Sequence, residues 1–598
     1  MSSSSAQVVP NGHDADEGRL LRPRPRKPQH SQVSQLSADS GDGDALTPGS
    51  EASALESGRS TPIPDNAPPS VKSLSDARKQ ARAVTRRLDG SRRRIFPTVE
   101  FASRVSHFDP ESDYRDFHGF FNLFWIGLAI MGSTAMLRNM KDTGYPFRFQ
   151  IWNLFAVKLW HLAIADFLMV ASTALSVPLH KRWRAAKADS LWTWKNGGMA
   201  VQSIFQVLWL SLWIVVPFAL EWTWTAQVFL LLHTMVLLMK MHSWAFYNGH
   251  LSETEKRLRR LDGPSSTIDR SPAYLYPAAG DLDEAVIDEG DVNGETTITG
   301  PKSPLGRGMV RRRSSRHAAI VKAREKKQLQ DDDNSGDELE LLREDLAGEL
   351  TSPMGNVTYP SNLTWSNYFD YLLCPTLCYE IEYPRTKSVN WTSLISKIVA
   401  TFGCIFLLTI VSEEFILPVL GDAQRRLLLS HSTSDSLLIL AETISWLLFP
   451  FMLTFLLVFL VIFEYVLGAF AEITRFGDRH FYSDWWNSTD WMEFSREWNV
   501  PVYSFLRRHV YSASRPHIGK VKATLITFLI SAIGHEIVMA CITKKLRGYG
   551  FICQMLQLPI VMLQRTRWVR NKRTLNNVCF WVSMIIGLSM ICALYVLV

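Results

Sequence analysis

Residues 481–511 read FYSDWWNSTDWMEFSREWNVPVYSFLRRHVY. The stretch is dense in Trp, Tyr and Phe, yet it also carries Asp, Glu, Arg, Asn and His. It is too polar to span a bilayer and too aromatic for a disordered linker. One long apolar run, 436–470, ends just before it, and another, 520–543, begins just after. A segment of this composition between two spans predicts an ordered amphipathic element packed at the cytosolic mouth of a cavity.

Outward from it, apolar blocks recur near 117–137, 150–178, 200–220, 224–246, 392–418, 549–563 and 577–598. About 20 apolar residues cross the hydrocarbon core as a helix, so the pattern predicts an all-α polytopic membrane protein with about nine transmembrane helices. Polar blocks divide it. Residues 1–115, rich in Ser, Pro, Gly, Asp and Arg, predict a disordered cytosolic tail. Residues 116–250 form a first membrane block of about four helices. Residues 251–350, which switch from RRRSSRHAAIVKAREKKQ to DDDNSGDELELLREDL, predict a long disordered cytosolic loop with a short helix near its end. RRRSSR is either a phosphorylation site or a solvated charge run. Residues 351–598 form the second and larger membrane block.

The mean hydropathy is near zero only because very polar and very apolar blocks cancel. The net charge is +7, with the basic residues gathered in the tail, the loop and the ends of apolar runs. Membrane topology accounts for that clustering, and a nucleic-acid partner is not expected. A cytosolic N-terminus puts the basic loops HKRWRAAKADSLWTWK, NGHLSETEKRLRR and QRTRWVRNKR on the cytosolic side. KKLRG, 544–548, falls on the wrong side, so span seven or eight is re-entrant or those side chains snorkel. The opening residues show no short apolar core after a basic start, so insertion is expected to rely on the internal spans. In this topology the sequons at Asn356, Asn362, Asn390 and Asn487 are cytosolic or interfacial and are expected to stay unmodified. Most of the seven Cys lie in apolar runs as packing residues, and Cys374 and Cys378 lack a second pair to complete a zinc site. No disulfide framework and no metal site are expected.

Chemistry concentrates in two places. The span VKATLITFLISAIGHEIVMACI, 521–542, is apolar apart from Lys522 near its start and His535 and Glu536 further in. An ionisable residue inside a membrane costs several kcal/mol, so it marks either a functional site or a hydrogen-bonded link between helices. The opening stretch places Phe481, Tyr482, Trp485 and Trp486 around Asp484 and Asn487, and repeats a Trp–Asn pair at Trp498 and Asn499. An aromatic belt at the interface needs neither the Asp nor the Asn.

FYSDWWN, then EFSREWNVPVYSFLRRHVY and GHEIVMA, resemble the membrane-bound O-acyltransferase family, in particular its branch of sterol and diacylglycerol acyltransferases. LLCPTLCYEIEYPRT, FGDRHFYSDWWN and ITKKLRGYGFICQMLQLPIV look most like fungal sterol acyltransferases. The resemblance covers most of 351–598 and, loosely, 116–250. It implies the family's fold, with 351–598 as catalytic core, and acyl transfer from acyl-CoA to a hydroxyl with no acyl-enzyme. His535 matches the family's catalytic His, a general base for the sterol hydroxyl. Asn499 matches the catalytic Asn, a donor to the thioester oxygen, and its plain alternative is a helix-cap amide. Family positions for acyl-CoA fall on Arg496, Trp498, Tyr511, Lys520 and Ser531, beside the motif residues 481–487. Gln557 is read as a polar group on the acceptor side, and Glu536 as orienting the site or binding a neighbouring helix. Tyr503 stands where many relatives have His, which puts a proton-relay or CoA role there in doubt.

The resemblance thus implies an endoplasmic-reticulum enzyme that esterifies a sterol such as ergosterol or cholesterol and works as a homo-oligomer, dimer or tetramer. It needs no cofactor, since acyl-CoA is a substrate. A diacylglycerol acyltransferase would share His535 and Asn499. A polytopic transporter or sterol sensor would place His535 in a proton or ligand path, although no inverted repeat is visible.

Overall fold

The computed structural model describes Val99, residues 101–106, 118–147, 157–186, 190, 192–262, 274, 334–567, 569 and 572–597. The reading of residues 1–98 as a tail, and most of the 251–350 loop with its RRRSSR run, lie outside these residues.

In lipid every backbone N–H and C=O must be satisfied within its own segment, so apolar runs fold as helices. They are α1 (His118–Thr143), α2 (Leu159–Thr173), α3 (Ser176–Ala185), α4 (Met199–Ala219) and α5 (Trp224–Leu261) in the first block. Then come the short helices α6 (Asn334–Glu349) and α7 (Trp365–Leu373), followed by α8 (Trp391–Val411), α9 (Leu417–Leu429), α10 (Thr433–Phe459) and α11 (Leu467–Ile473). The last set is α12 (Trp491–Glu497), α13 (Val500–Phe505), α14 (Ser512–Thr543), α15 (Tyr549–Gln564) and α16 (Arg573–Leu597). Among the described residues there is no strand, only isolated bridges such as Arg385–Phe476.

Eight helical stretches among the described residues are long and apolar enough to cross a membrane. The ninth block, α15, has 16 residues. It is about 24 Å long, short of a core of about 30 Å.

Two boundaries differ from the sequence reading. The fourth span does not stop near 246, because α5 runs on to Leu261. Its extension ETEKRLRR is made of good helix formers, Arg259 pairs with Glu255 one turn back, and buried Glu255 takes both a 3.0 Å Nε and a 3.0 Å Nη bond from Arg184. The stretch read as tail also includes Val99 and residues 101–106, and these lie on the core. Val99 N donates to Glu380, Ala102 N to Asp478, and Arg104 N to Gly477 O. The short helix expected near the end of the loop is α6.

Four π-helical turns occur among the described residues; one, Trp194–Gly198, opens the α4 span, and the other three are at Ser412–Ile416, Leu460–Val466 and Leu506–Tyr511. The latter three carry buried ionisable side chains: Glu413 and Glu414, Glu464, and Arg508 with His509. A widened turn redirects side chains that a regular helix would send elsewhere, and such turns recur at functional sites. The main core gathers where α5, the 359–383 region, the Leu460–Val466 turn and the FYSDWWN segment meet.

Candidate active site

The FYSDWWN segment leaves α11 through a tight crossing. Gly477 N donates to Pro384 O at 2.8 Å, and a Cβ at Gly477 would sit 3.1 Å from that same oxygen. A side chain there would force the two strands of backbone apart. Phe481, Tyr482 and Trp485 then turn inward and are buried. The Trp485 ring lies 4.9 Å from Trp498, 5.0 Å from Phe459 and 5.5 Å from Phe455, all edge-on. Trp498 itself stacks on Phe455 at 4.5 Å. Edge-to-face and stacked pairs of this kind fix ring positions beyond what burial alone does. Phe481, Tyr482, Trp485 and Trp498 therefore build the wall, while Asp484, Trp486 and Asn487 lie toward its open side.

Polar contacts lock this wall to distant parts of the chain. Tyr482 OH donates to Glu464 Oε2 at 3.2 Å, and Glu464 is also met by Ser106 from the 101–106 strap and by Lys397 at 3.0 Å. Trp486 O accepts from Asn577 Nδ2 at 3.0 Å and from Trp581 Nε1 at 3.1 Å, which ties the motif to α16. Next to it, burial pushes the Glu497 carboxyl up to about 7, with the neighbouring Glu493 charge adding to the effect. Arg496 closes α12 beside it.

Asn499 is the N-cap of α13: its Oδ1 accepts from Val502 N at 3.1 Å, and Pro501 sits in the first turn. Proline there has no N–H to waste and is preset for a helix start. The helix-cap reading of Asn499 is thus met by the oxygen alone. With Oδ1 committed, the Nδ2 amide is held in one direction, and among the described residues no hydrogen bond uses its hydrogens.

His535 lies on α14. This helix breaks at Gly519, whose φ of +80° is outside helical space, so the apolar part begins at Lys520, an exposed residue. The His535 side chain is open, and its Nδ1 lies 2.8 Å from Ser531 O, one turn earlier. A carbonyl oxygen only accepts, so Nδ1 holds the hydrogen and Nε2 presents a lone pair outward. Ser531 acts here through its backbone. Glu536, the next residue, points the other way and is buried. It accepts from Gly548 N at 2.7 Å, Phe551 N at 3.1 Å and Tyr595 OH at 2.6 Å. It caps α15 and ties α14 to α15 and α16, which is the helix-binding alternative of its sequence reading. Gln557, on α15, donates to Gln554 Oε1 at 3.2 Å. Tyr511 ends the π turn, with the Arg515 guanidinium 6.0 Å from its ring centre.

The structure therefore joins Asn499 to the start of α13 and His535 to Ser531 on α14. Among the described residues no hydrogen bond joins the two. Sequence reasoning missed the buried network beneath them. Arg508 and Glu380, 1% and 3% exposed, pair at 2.9 Å. Arg508 also donates to Tyr379 O at 3.0 Å and sits 4.5 Å from the Tyr247 ring centre, and Tyr247 OH donates to Glu380 at 3.2 Å. Losing either partner of such a pair costs about 3–5 kcal/mol. Beside it, Ser243 Oγ accepts from Tyr379 N at 2.8 Å and meets His509 Nε2 at 2.9 Å. The one signal in sequence was a doubled Arg followed by His inside an aromatic stretch.

A family model described as MBOAT, membrane-bound O-acyltransferase family, matches residues 201–597. The probable sterol O-acyltransferase 2 of Schizosaccharomyces pombe is 35% identical over 546 residues, covering 90% of this chain and 98% of that protein. The sterol O-acyltransferase 2 of Candida albicans is 30% identical over 516 residues, 84% of this chain and 78% of its own. The diacylglycerol O-acyltransferase 1 of Dictyostelium discoideum is 33% identical over 247 residues only, 41% of this chain and 39% of its own.

Proposed function

The chain belongs to the membrane-bound O-acyltransferase family, and from that premise we propose that it is a sterol O-acyltransferase, moving a fatty acyl group from acyl-CoA to a sterol 3-hydroxyl. The observation that carries the chemistry is the His535 ring, with Nδ1–H spent on Ser531 O and Nε2 facing outward as a base. Likeness to sterol acyltransferases runs along nearly the whole chain, and likeness to a diacylglycerol acyltransferase along less than half of it. That difference favours a sterol acceptor over diacylglycerol. Membership of an enzyme family also sets aside the transporter and sensor readings.

In this reading the sterol O–H hydrogen-bonds to His535 Nε2. As the oxygen attacks the thioester carbon, the proton passes to Nε2 and the carbonyl π electrons move onto oxygen. Asn499 Nδ2 donates to that oxygen, its direction set by the bond from Val502 N to Oδ1. Collapse expels the CoA thiolate, which takes the proton back from His535 and restores the neutral ring. General-base help of this kind contributes roughly 10²–10⁴-fold. No acyl-enzyme forms. Arg496 and Lys520 suit the CoA phosphates, Tyr511 and the open side of Trp486 suit its apolar and aromatic parts, and Asp484 and Asn487 border the entrance. Gln557 lies on the acceptor side.

The enzyme resides in the endoplasmic reticulum membrane with its N-terminus in the cytosol, an orientation supported by its basic loops. The FYSDWWN segment then lies where a water-soluble CoA head arrives, and the sterol enters sideways from lipid. A homo-oligomer, dimer or tetramer, is the assembly in which it works. Steady-state kinetics of Asn499→Ala test the donor role. Turnover falls with little change in acyl-CoA binding; weakened binding with unchanged turnover would make Asn499 a binding residue only.

A further inference from the structure

The rings that hold Trp498 come from one stretch of helix. Phe455 and Phe459 close α10, and Phe463 lies in the π-helical turn Leu460–Val466 that follows. Their ring centres stand 4.5, 5.3 and 5.4 Å from that of Trp498. Three residues spaced by four on a regular helix spread over about 80° around its axis, so the third ring would leave the face of the first. A turn that takes in more residues per revolution narrows that spread, and Phe463 stays on Trp498. Trp498 is followed directly by Asn499, whose own side chain is fixed by the bond from Val502 N to Oδ1.

Glu464 comes next after Phe463 in the same turn. It is buried, and both of its carboxylate oxygens are engaged. Lys397 Nζ, on α8, donates to Oε1 at 3.0 Å and reaches the Glu464 main-chain O at 3.4 Å. Tyr482 OH donates to Oε2 at 3.2 Å, and Ser106 Oγ donates to the same oxygen. Lys397 passes over Gly468, where a Cβ would lie 3.1 Å from both its Cδ and its Nζ. A glycine there leaves the ammonium its path. The turn is thus gripped from α8, from the motif and from the 101–106 strap. Tyr482 also packs edge-on against Phe459 at 4.8 Å, so the polar grip and the rings brace the same place.

We propose that Glu464 is a positioning residue for acyl transfer. Paired with Lys397, it sets the turn that keeps Phe459 and Phe463 on Trp498, and through that ring it sets the direction of Asn499. The inference rests on the reading of Asn499 as donor to the thioester oxygen. Glu464 acts through Trp498 and takes no part in the chemistry itself. An amide in its place keeps one acceptor oxygen, but it turns an NH₂ toward one of two sets of donors. Glu464→Gln therefore loosens the grip on the turn without removing side-chain volume. Catalysis responds to small displacements of a group aimed at a developing charge, and far less to the same displacement elsewhere in the fold.

The test is a double-mutant cycle on the full chain, with kcat for sterol esterification taken per folded enzyme and the thermal midpoint measured in parallel. Glu464→Gln should lower kcat about tenfold and leave KM for acyl-CoA within about threefold. In an Asn499→Ala background the same change should lower kcat less than about twofold, because the group it positions is gone. The midpoint should drop equally in both backgrounds. Glu464→Gln/Lys397→Met removes the unmatched ammonium, so it should bring the midpoint back toward wild type while kcat stays low. A role in stability alone would not separate the two, and this variant also serves where Glu464→Gln does not fold. Wild-type kcat in Glu464→Gln, with Asn499→Ala impaired, would overturn this inference and leave the proposed reaction standing. So would an equal fold loss in both backgrounds, or a kcat that recovers with the midpoint. Undiminished kcat in Asn499→Ala would overturn the donor reading itself, and this inference with it.

Discussion

His535 and Glu536 are adjacent in sequence, and their substitution should separate chemistry from stability. Glu536 is buried and accepts three hydrogen bonds, two from backbone N–H groups at the start of α15 and one from Tyr595 OH. A carboxylate at a helix N-terminus is also favoured by the helix dipole. Glu536→Ala strands two N–H groups and a hydroxyl. At about 1.5–3 kcal/mol for each of the three hydrogen bonds to a charged group, the loss is roughly 4–9 kcal/mol. Glu536→Gln keeps one oxygen acceptor and can donate its amide to Tyr595 Oη, so it forfeits about one bond, ~1–2 kcal/mol. His535→Ala removes only a bond to its own helix and should unfold close to wild type. Thermal unfolding of the purified proteins, followed by size-exclusion fluorescence, should rank wild type and His535→Ala together, then Glu536→Gln, then Glu536→Ala. Activity should run differently: His535→Ala is inactive though stable, and Glu536→Gln keeps most turnover at low temperature. A Glu536→Ala protein as stable as wild type yet inactive would refute the capping argument and make Glu536 a chemical group.

Two further outcomes follow from the same contacts. Deleting residues 2–98 should leave specific activity near wild type, whereas extending the deletion through Ser106 should lower it several-fold, because Val99, Ala102, Arg104 and Ser106 are bonded to Glu380, Asp478, Gly477 and Glu464; equal activity of the two truncations, measured on folded protein, would show the strap to be dispensable. Glu497, pushed up to about 7 by burial, binds its proton more tightly folded than unfolded. Its contribution to stability therefore falls as pH rises from the ordinary carboxyl range to about 7 and stays lost above that. Glu497→Gln should flatten the thermal midpoint over that window and raise it at pH 7.5; a parallel pH profile in the variant would rule this out.

Much of the fold was legible because the bilayer imposes one rule, long apolar helices, and the runs obey it. The start of the 520–543 span was also legible, since the apolar run begins just after Gly519. The extent of α5 was not legible. Its charged end looks like a solvated loop until Glu255 is seen buried against Arg184, some 70 residues away. Neighbouring residues of like polarity were the hardest. Arg507 is exposed and Arg508 buried; His535 is open and Glu536 buried. Roughly a quarter-turn of helix separates each pair, and the partner that decides the matter lies in another element, Glu380 for Arg508 and the α15 N-terminus for Glu536. The motif aromatics were legible as a cluster, but their use as a wall depended on Phe455 and Phe459, which read only as span residues.

The central claim is that His535 serves as base for acyl transfer to a sterol. The most direct measurement is transfer of labelled oleoyl-CoA in membranes lacking other neutral-lipid acyltransferases, with ergosterol, cholesterol or diacylglycerol supplied in turn and His535→Ala run beside wild type. Sterol ester from wild type, with at least a 100-fold loss in the variant at equal expression, is the result expected from a general base. Triacylglycerol in place of sterol ester would contradict the acceptor, and sterol ester formed equally by His535→Ala would contradict the base.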